Sequence, residues 1–459
     1  MRRSAWALFA INSAGAVGVV ACTSVFAALA RAETRPRYGG TIVAEIHHAI
    51  TFTDPAEWPI QLVPLVYDRL TWLDALGRPQ PALAVAWQHD PENRRWQFRL
   101  RPGVKFHDGT AVTAAAVAAS LKSLRHIESL GGDTILIDAG GPAPDLPAEL
   151  AGARYAILRR GTDGVTAGTG PFRIAGWQPG RRAMLAANED YWGGRPYLDS
   201  VELQMGRGYR DQSIDLELGR ADLVELSIED ARRLAPRGIR TSTSAPLDLM
   251  ALVFDRGHSS AEIARLREAV ALSLDRATIH TVLLQRQGEP AGALLPAWLS
   301  GYAFLFPTAR DLDRAKQIIS LLPKTAAHLT FTFDAADPLS RTVAERVALN
   351  AREAGITMQL APGERSDVRL VRLRLGSVES AQALAEFAAA TGFSDLLKPA
   401  SPAPESLYAS ERAVIEEFRV VPLFHLPVTL GISSRVRNWE AQRWGEWRLE
   451  DVWVEARKP

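Results

Sequence analysis

Trp96-Gln97-Phe98-Arg99-Leu100-Arg101-Pro102-Gly103-Val104-Lys105-Phe106-His107-Asp108-Gly109-Thr110 is the stretch whose reading decides the fold. Trp96, Phe98 and Leu100 alternate with polar neighbours, the pattern of a strand with one buried face. Pro102-Gly103 breaks that strand, and Asp108-Gly109 is a strong turn signal. Thr113 then stands where a helix needs a side-chain acceptor for its first free N–H groups, and Val117, Leu121 and Leu124 mark one helical face.

Strand, turn and helix in this order would fit many α/β proteins, but the residues themselves are more specific. The block resembles a signature of the extracellular solute-binding proteins of family 5, the dipeptide-, oligopeptide- and nickel-binding components of ABC importers. Further blocks resemble the same family in its order: Tyr38-Gly39-Gly40-Thr41, then Pro79-Gln80-Pro81-Ala82-Leu83-Ala84-Val85 with Trp87, then Gly168-Thr169-Gly170-Pro171-Phe172. Asn188-Glu189-Asp190-Tyr191-Trp192-Gly193-Gly194 follows, with Arg267-Glu268-Ala269-Val270, Leu274-Asp275-Arg276 and Glu353-Ala354-Gly355-Ile356 after it. The resemblance covers most of residues 38 to 360 and resumes near Val421-Pro422-Leu423.

A chain of 459 residues has room for two or more domains, and its apolar and charged content is that of an ordinary folded protein. The net charge is +1, which argues against a nucleic-acid partner. Arg2 and Arg3, an apolar run from Ala5 to Leu29, and Ala30-Arg31-Ala32 before Glu33 have the order of a secretory leader, read here as residues 1–32. An uncleaved anchor is the alternative, and Val19-Val20-Ala21-Cys22 offers a lipobox as a third reading. Cys22 is the only cysteine, so no internal disulfide is expected and stability must come from core burial.

Downstream, Ser260 precedes a helical face of Ile263, Leu266, Val270 and Leu274, and Ser340 precedes one with Val343 and Val347 that ends near Gly355. Ile356, Met358 and Leu360 then alternate as a strand, and residues 399–404 read as a loop. The resemblance implies an α/β, type II periplasmic-binding-protein-like fold, two lobes with a hinge and a subdomain inserted in the first. It places lobe I at 38–57, 161–247 and 427–459, the inserted subdomain at 58–160, and a reduced lobe II at 248–426. Ala251-Leu252-Val253-Phe254 and Val421 to Leu426 are apolar enough to be the buried crossing segments.

A ligand in such a protein sits between the lobes, so the candidates are residues near that cleft. Trp58 is the first of them, with a loop cover on the inserted subdomain as its equal alternative. His47 and His48 are adjacent, which in a strand sends them to opposite faces and disfavours joint chelation of a metal. Trp298 and Tyr302 lie in a stretch that resembles the family's approach to the interlobe region. Arg154 stands where some relatives place a cation able to meet a carboxylate, and Asp255 stands where the family usually has Asn. Arg369, Arg372 and Arg374 read as the solvated face of an edge strand.

No G-x-S-x-G elbow, P-loop, H-E-x-x-H helix or dinucleotide fingerprint is present. The expectation is therefore an exported, periplasmic, monomeric solute-binding protein without enzymatic activity, cofactor or metal centre. Its partners would be an ABC permease in the inner membrane and an oligopeptide-like or other small polar solute. Between Leu360 and Val421 there is no Trp and no convincing match to the segment that fixes a peptide's amino terminus in relatives. Nickel or another metal chelate is the alternative ligand, and a sensor module or scaffold the alternative role.

Overall fold

The computed structural model describes residues 35–55, 58–122, 126–161, 166–257, 260–323, 327–360 and 366–456. The segment read as a leader, with Cys22 and Ala32, and Leu124 of the first helical face lie outside these residues. Among the described residues, one eleven-stranded sheet runs through the molecule. Its order is Phe172–Gln178, Arg182–Ala187, Ser200–Gln204, Thr41–Glu45, Leu223–Leu226, Val420–Ile432, Arg240–Phe254, Val368–Arg374, His328–Phe333 and Thr357–Leu360, with Glu289–Pro290 beside the Val420–Ile432 strand.

Two long strands join the lobes. Arg240–Phe254 and Val420–Ile432 pair antiparallel from Arg240 opposite Ile432 to Val253 opposite Val420, with register shifts near Pro246 and at Met250. From Leu247 to Phe254, Asp248 apart, and along most of Val420–Ile432 the strands are apolar on both faces, as a strand covered on two sides requires. Leu249, Ala251 and Val253 enter one core, shared with first-lobe residues such as Ile42, Leu203 and Phe172. Met250, Leu252 and Phe254 enter a second core, built on Leu266, Val270, Phe331, Val343 and Val347. Alternation along one strand thus feeds two cores.

The opening block forms as its pattern predicts. Arg95–Leu100 is a strand with Trp96, Phe98 and Leu100 buried, and the Thr113 side chain accepts from Ala116 N at the head of helix Ala114–Leu121. The strand belongs to an antiparallel four-stranded sheet with its own core. Ser260 caps helix Ala261–Ser273. At the next helix the expected cap is displaced: Pro338–Glu353 starts earlier, Asp337 caps it, and Ser340 lies inside its first turn with Oγ donating to Asp337. Pro338, with no N–H of its own to satisfy, opens the helix. The loop expected to end at Pro404 ends one residue sooner, because Pro404 likewise opens helix Pro404–Ile415.

Several of the quoted blocks meet at one junction. His107 N donates to Gly168 O at 2.9 Å, its ring lies 3.0 Å from Gly170 O, and Asn188 Nδ2 donates to the same carbonyl. Asp68 accepts from Thr169 Oγ1 and from Trp192 Nε1. Gly168 and Gly170 permit this because they lie directly on the Val66-Tyr67 backbone; a Cβ at Gly168 would stand 2.0 Å from Val66 O. Backbone cannot yield to such an overlap as a side-chain tip can. Gly168→Ala should therefore lower stability by about 3 kcal/mol in urea unfolding, while Gly103→Ala, with nothing within 4 Å but a φ of +75°, should lose only about 1 kcal/mol.

Candidate functional site

A cavity of about 540 Å³ opens between the lobes. Its first-lobe wall comes from the segment after strand Thr41–Glu45, from Tyr209 at the head of helix Tyr209–Glu217, and from Glu225. The second-lobe wall comes from strand Val368–Arg374, the start of helix Pro338–Glu353 and helix Ser380–Thr391, and Asp248 of the first crossing strand forms part of the lining.

The dominant feature is an ion network that crosses from lobe to lobe. Arg374 Nε and Nη2 donate to the two oxygens of Asp248 at 2.7 and 3.2 Å, and Nη1 donates to Glu225 on the first-lobe side. Arg372 Nε donates to Asp248 at 2.8 Å, and its Nη1 reaches Asp337 at 3.5 Å. Burial alone would push the Asp248 carboxyl up, but Arg374 and Arg372 outweigh it and hold the group at about 2. Its carboxylate holds Arg374 well above the usual guanidinium range despite burial.

Sequence reasoning treated these arginines as a solvated edge, and the structure corrects that reading. Their strand is interior, between Arg240–Phe254 and His328–Phe333, so only Arg369 of the three is exposed. Arg372 and Arg374 share a face by the two-residue period, which was visible in the sequence. Their acidic partners, 35 to 149 residues away, were not.

His47 and His48 both line the cavity, because the chain bends there after leaving the strand. The opposite-face argument therefore does not apply to them. His47 N donates to Glu225 at 2.7 Å, its Nδ1 lies 3.1 Å from Arg207 O, and its ring stacks on Tyr209 at 4.7 Å. Its Nε2 faces Asp334 across the cleft at 3.7 Å. His48 opens to solvent through the cleft, yet the surrounding protein and then Arg374 lower its imidazole pKa below the ordinary 6.5. Trp58 lines the cavity too, 2% exposed, stacked on Trp177 and donating Nε1 to Phe52 O.

The remaining four candidates lie outside this cavity. Trp298 packs on Trp444 and donates to Pro246 O, covering the crossing-strand bulge. Tyr302 is buried, donating to Glu411 Oε2 at 2.9 Å. Arg154 ties the turn Ala153–Tyr155 to helix Ser380–Thr391 through Gln382 and Glu379. Asp255 is exposed at the far end of the crossing strand, where it receives Gly257 N and donates its own N–H to Asp367 O. Among the described residues no three His, Cys, Asp or Glu side chains converge to hold a metal ion.

The sequence profile of the bacterial extracellular solute-binding proteins, family 5 (middle region), matches residues 78–382. The chain is 24% identical over 308 residues to the probable D,D-dipeptide-binding periplasmic protein DdpA of Escherichia coli, covering 61% of this chain and 60% of that protein. It is 21% identical over 384 residues to the nickel-binding periplasmic protein of the same organism, covering 70% and 73%. Among solved structures, a dipeptide-binding protein from Pseudoalteromonas in complex with Met-Leu superposes with a TM-score of 0.75 at 15% identity, covering 91% of this chain and 100% of the other. The two-lobed α/β architecture is that of the type II periplasmic binding proteins.

Two variants test the energetics of the site. Arg374→Ala leaves Asp248 and Glu225, 3% and 1% exposed, short of a counter-charge, and should cost about 3–5 kcal/mol in urea unfolding. Glu411 is fully buried, which raises its carboxyl from 4.5 to about 7. The stability this group contributes is whole below pH 4.5 and is lost as pH rises through 7. Glu411→Gln should therefore flatten that part of the stability–pH profile by on the order of 3 kcal/mol.

Proposed function

Because this chain belongs to the bacterial extracellular solute-binding proteins of family 5, we propose that it captures a small polar solute in the interlobe cavity and presents it to an ABC permease. The observation that carries the reading is the cavity itself. It lies between two lobes joined by paired strands, and its volume is that of a small-ligand site. Its lining mixes apolar faces from Trp58 and Phe387 with charged groups held in fixed positions. A solute that touches both walls would favour the closed arrangement by its contacts to each.

On this reading the protein works outside the cytoplasm and does no chemistry of its own. The class of solute is open between oligopeptide-like molecules and others of similar size. Of the proteins named above, one is a probable D,D-dipeptide-binding protein, one binds nickel and one is held in complex with Met-Leu, which supports small solutes as a group without selecting one.

Native mass spectrometry of protein purified from an exporting host, followed by denaturing release, tests the reading. A stoichiometric small-molecule adduct is expected, and re-adding that molecule at a hundredfold excess over its Kd should raise stability by about 2.7 kcal/mol. A clean apo mass together with no thermal shift across peptides, sugars and metal chelates would leave a scaffold without ligand.

A further inference from the structure

The charges fixed in the interlobe cavity do not balance. Arg372 and Arg374 are packed against three carboxylates, those of Glu225, Asp248 and Asp337. The three acids are almost fully buried, at 1%, 3% and 5% side-chain exposure. Two guanidiniums against three carboxylates leave one formal negative charge in excess, with Asp337 met in part by Leu339 N and the Ser340 hydroxyl at the head of helix Pro338–Glu353.

Among the described residues no lysine and no third arginine lines the cavity. His48 stays neutral at pH 7, since the surrounding protein and Arg374 lower its pKa. Glu386 accepts from Gly376 N and Gln382, and it adds no positive charge in either protonation state. Asp334, 56% exposed at the mouth, adds a further carboxylate, with His47 Nε2 3.7 Å away. The lining therefore carries a net negative formal charge, so a solute that brings a positive charge is favoured there and one that brings a negative charge is repelled. Both guanidiniums are already engaged with protein carboxylates, which leaves a carboxylate-headed solute poorly served.

We infer that the solute taken by this cleft is an organic cation, a small molecule headed by a protonated amine or a guanidinium, seated against Asp334 and Asp337. Asp337 N donates to Asp334 O at 3.3 Å, so the two acids stand together on the second-lobe wall, and Val371, Leu373 and Ala390 supply apolar surface for the rest of the molecule. The inference rests on the solute-binding reading and narrows its substrate class.

Calorimetric titration of the mature protein with arginine, its uncharged isostere citrulline, agmatine and glutamate tests it. Arginine and agmatine should bind at least about tenfold more tightly than citrulline, with glutamate silent, as expected for a charge-assisted contact in a shielded site. Asp334→Asn should weaken arginine by about threefold while leaving the melting temperature unchanged, because Asp334 is exposed and Asn keeps the acceptor for Ala336 N. Citrulline or glutamate binding as tightly as arginine would overturn the inference and leave solute binding intact. If none of the four gives heat, the solute retained in the native mass spectrum decides: a cationic organic molecule supports the inference, and a neutral, anionic or metal-chelate solute overturns it alone. No heat and no retained solute would sink both readings.

Discussion

The pairing of Arg240–Phe254 with Val420–Ile432 is the constraint on which the rest of the molecule depends. Leu247–Phe254 is buried on both faces with alternate residues from Leu249 serving different cores, and Val420–Ile432 contributes to both cores as well. A slip of one residue would exchange Leu249, Ala251 and Val253 with Met250, Leu252 and Phe254, so that every side chain met the wrong core. The register is therefore held by packing on two sides at once. The position of each lobe's sheet relative to the other follows from it.

The same strand carries the chemistry of the cleft. Asp248 stands where the first crossing strand enters the second lobe, and Arg372 and Arg374 reach it from the neighbouring strand. Glu225, on the other side of the crossing pair, completes the network from the first lobe. Cavity charge and lobe connection are thus mounted on one piece of backbone. A change in lobe angle must alter the Glu225–Arg374 contact, which gives solute binding and lobe geometry a common physical term.

The blocks that reveal the family perform a different task. His107, Gly168, Thr169, Gly170, Asn188 and Trp192 meet away from the cleft, where the inserted sheet joins the first lobe. They are legible because close backbone approach tolerates only glycine and because buried carbonyls demand particular donors. The cavity lining is drawn largely from outside those blocks. Family likeness and ligand identity consequently rest on different residues, and the first does not determine the second.

Local pattern by itself determined the elements whose causes are local. The strand at Trp96, Phe98 and Leu100, the cap at Thr113, the helix after Ser260 and the apolar crossing segments all follow from alternation, turn chemistry and helical spacing within a few residues. Where two local signals competed, as at Ser340, the cap went to Asp337 because Pro338 can open a helix without an N–H to satisfy. Of the candidate site residues, His47, His48 and Trp58 line the cavity, while Trp298, Tyr302, Arg154 and Asp255 are engaged elsewhere. Only the tertiary structure decided that Arg372 and Arg374 face inward, because burial of a strand depends on its neighbours in the sheet. It alone decided their partners, since Coulomb and hydrogen-bond energies depend on distance in space, and Glu225 and Arg374 lie 149 positions apart along the chain.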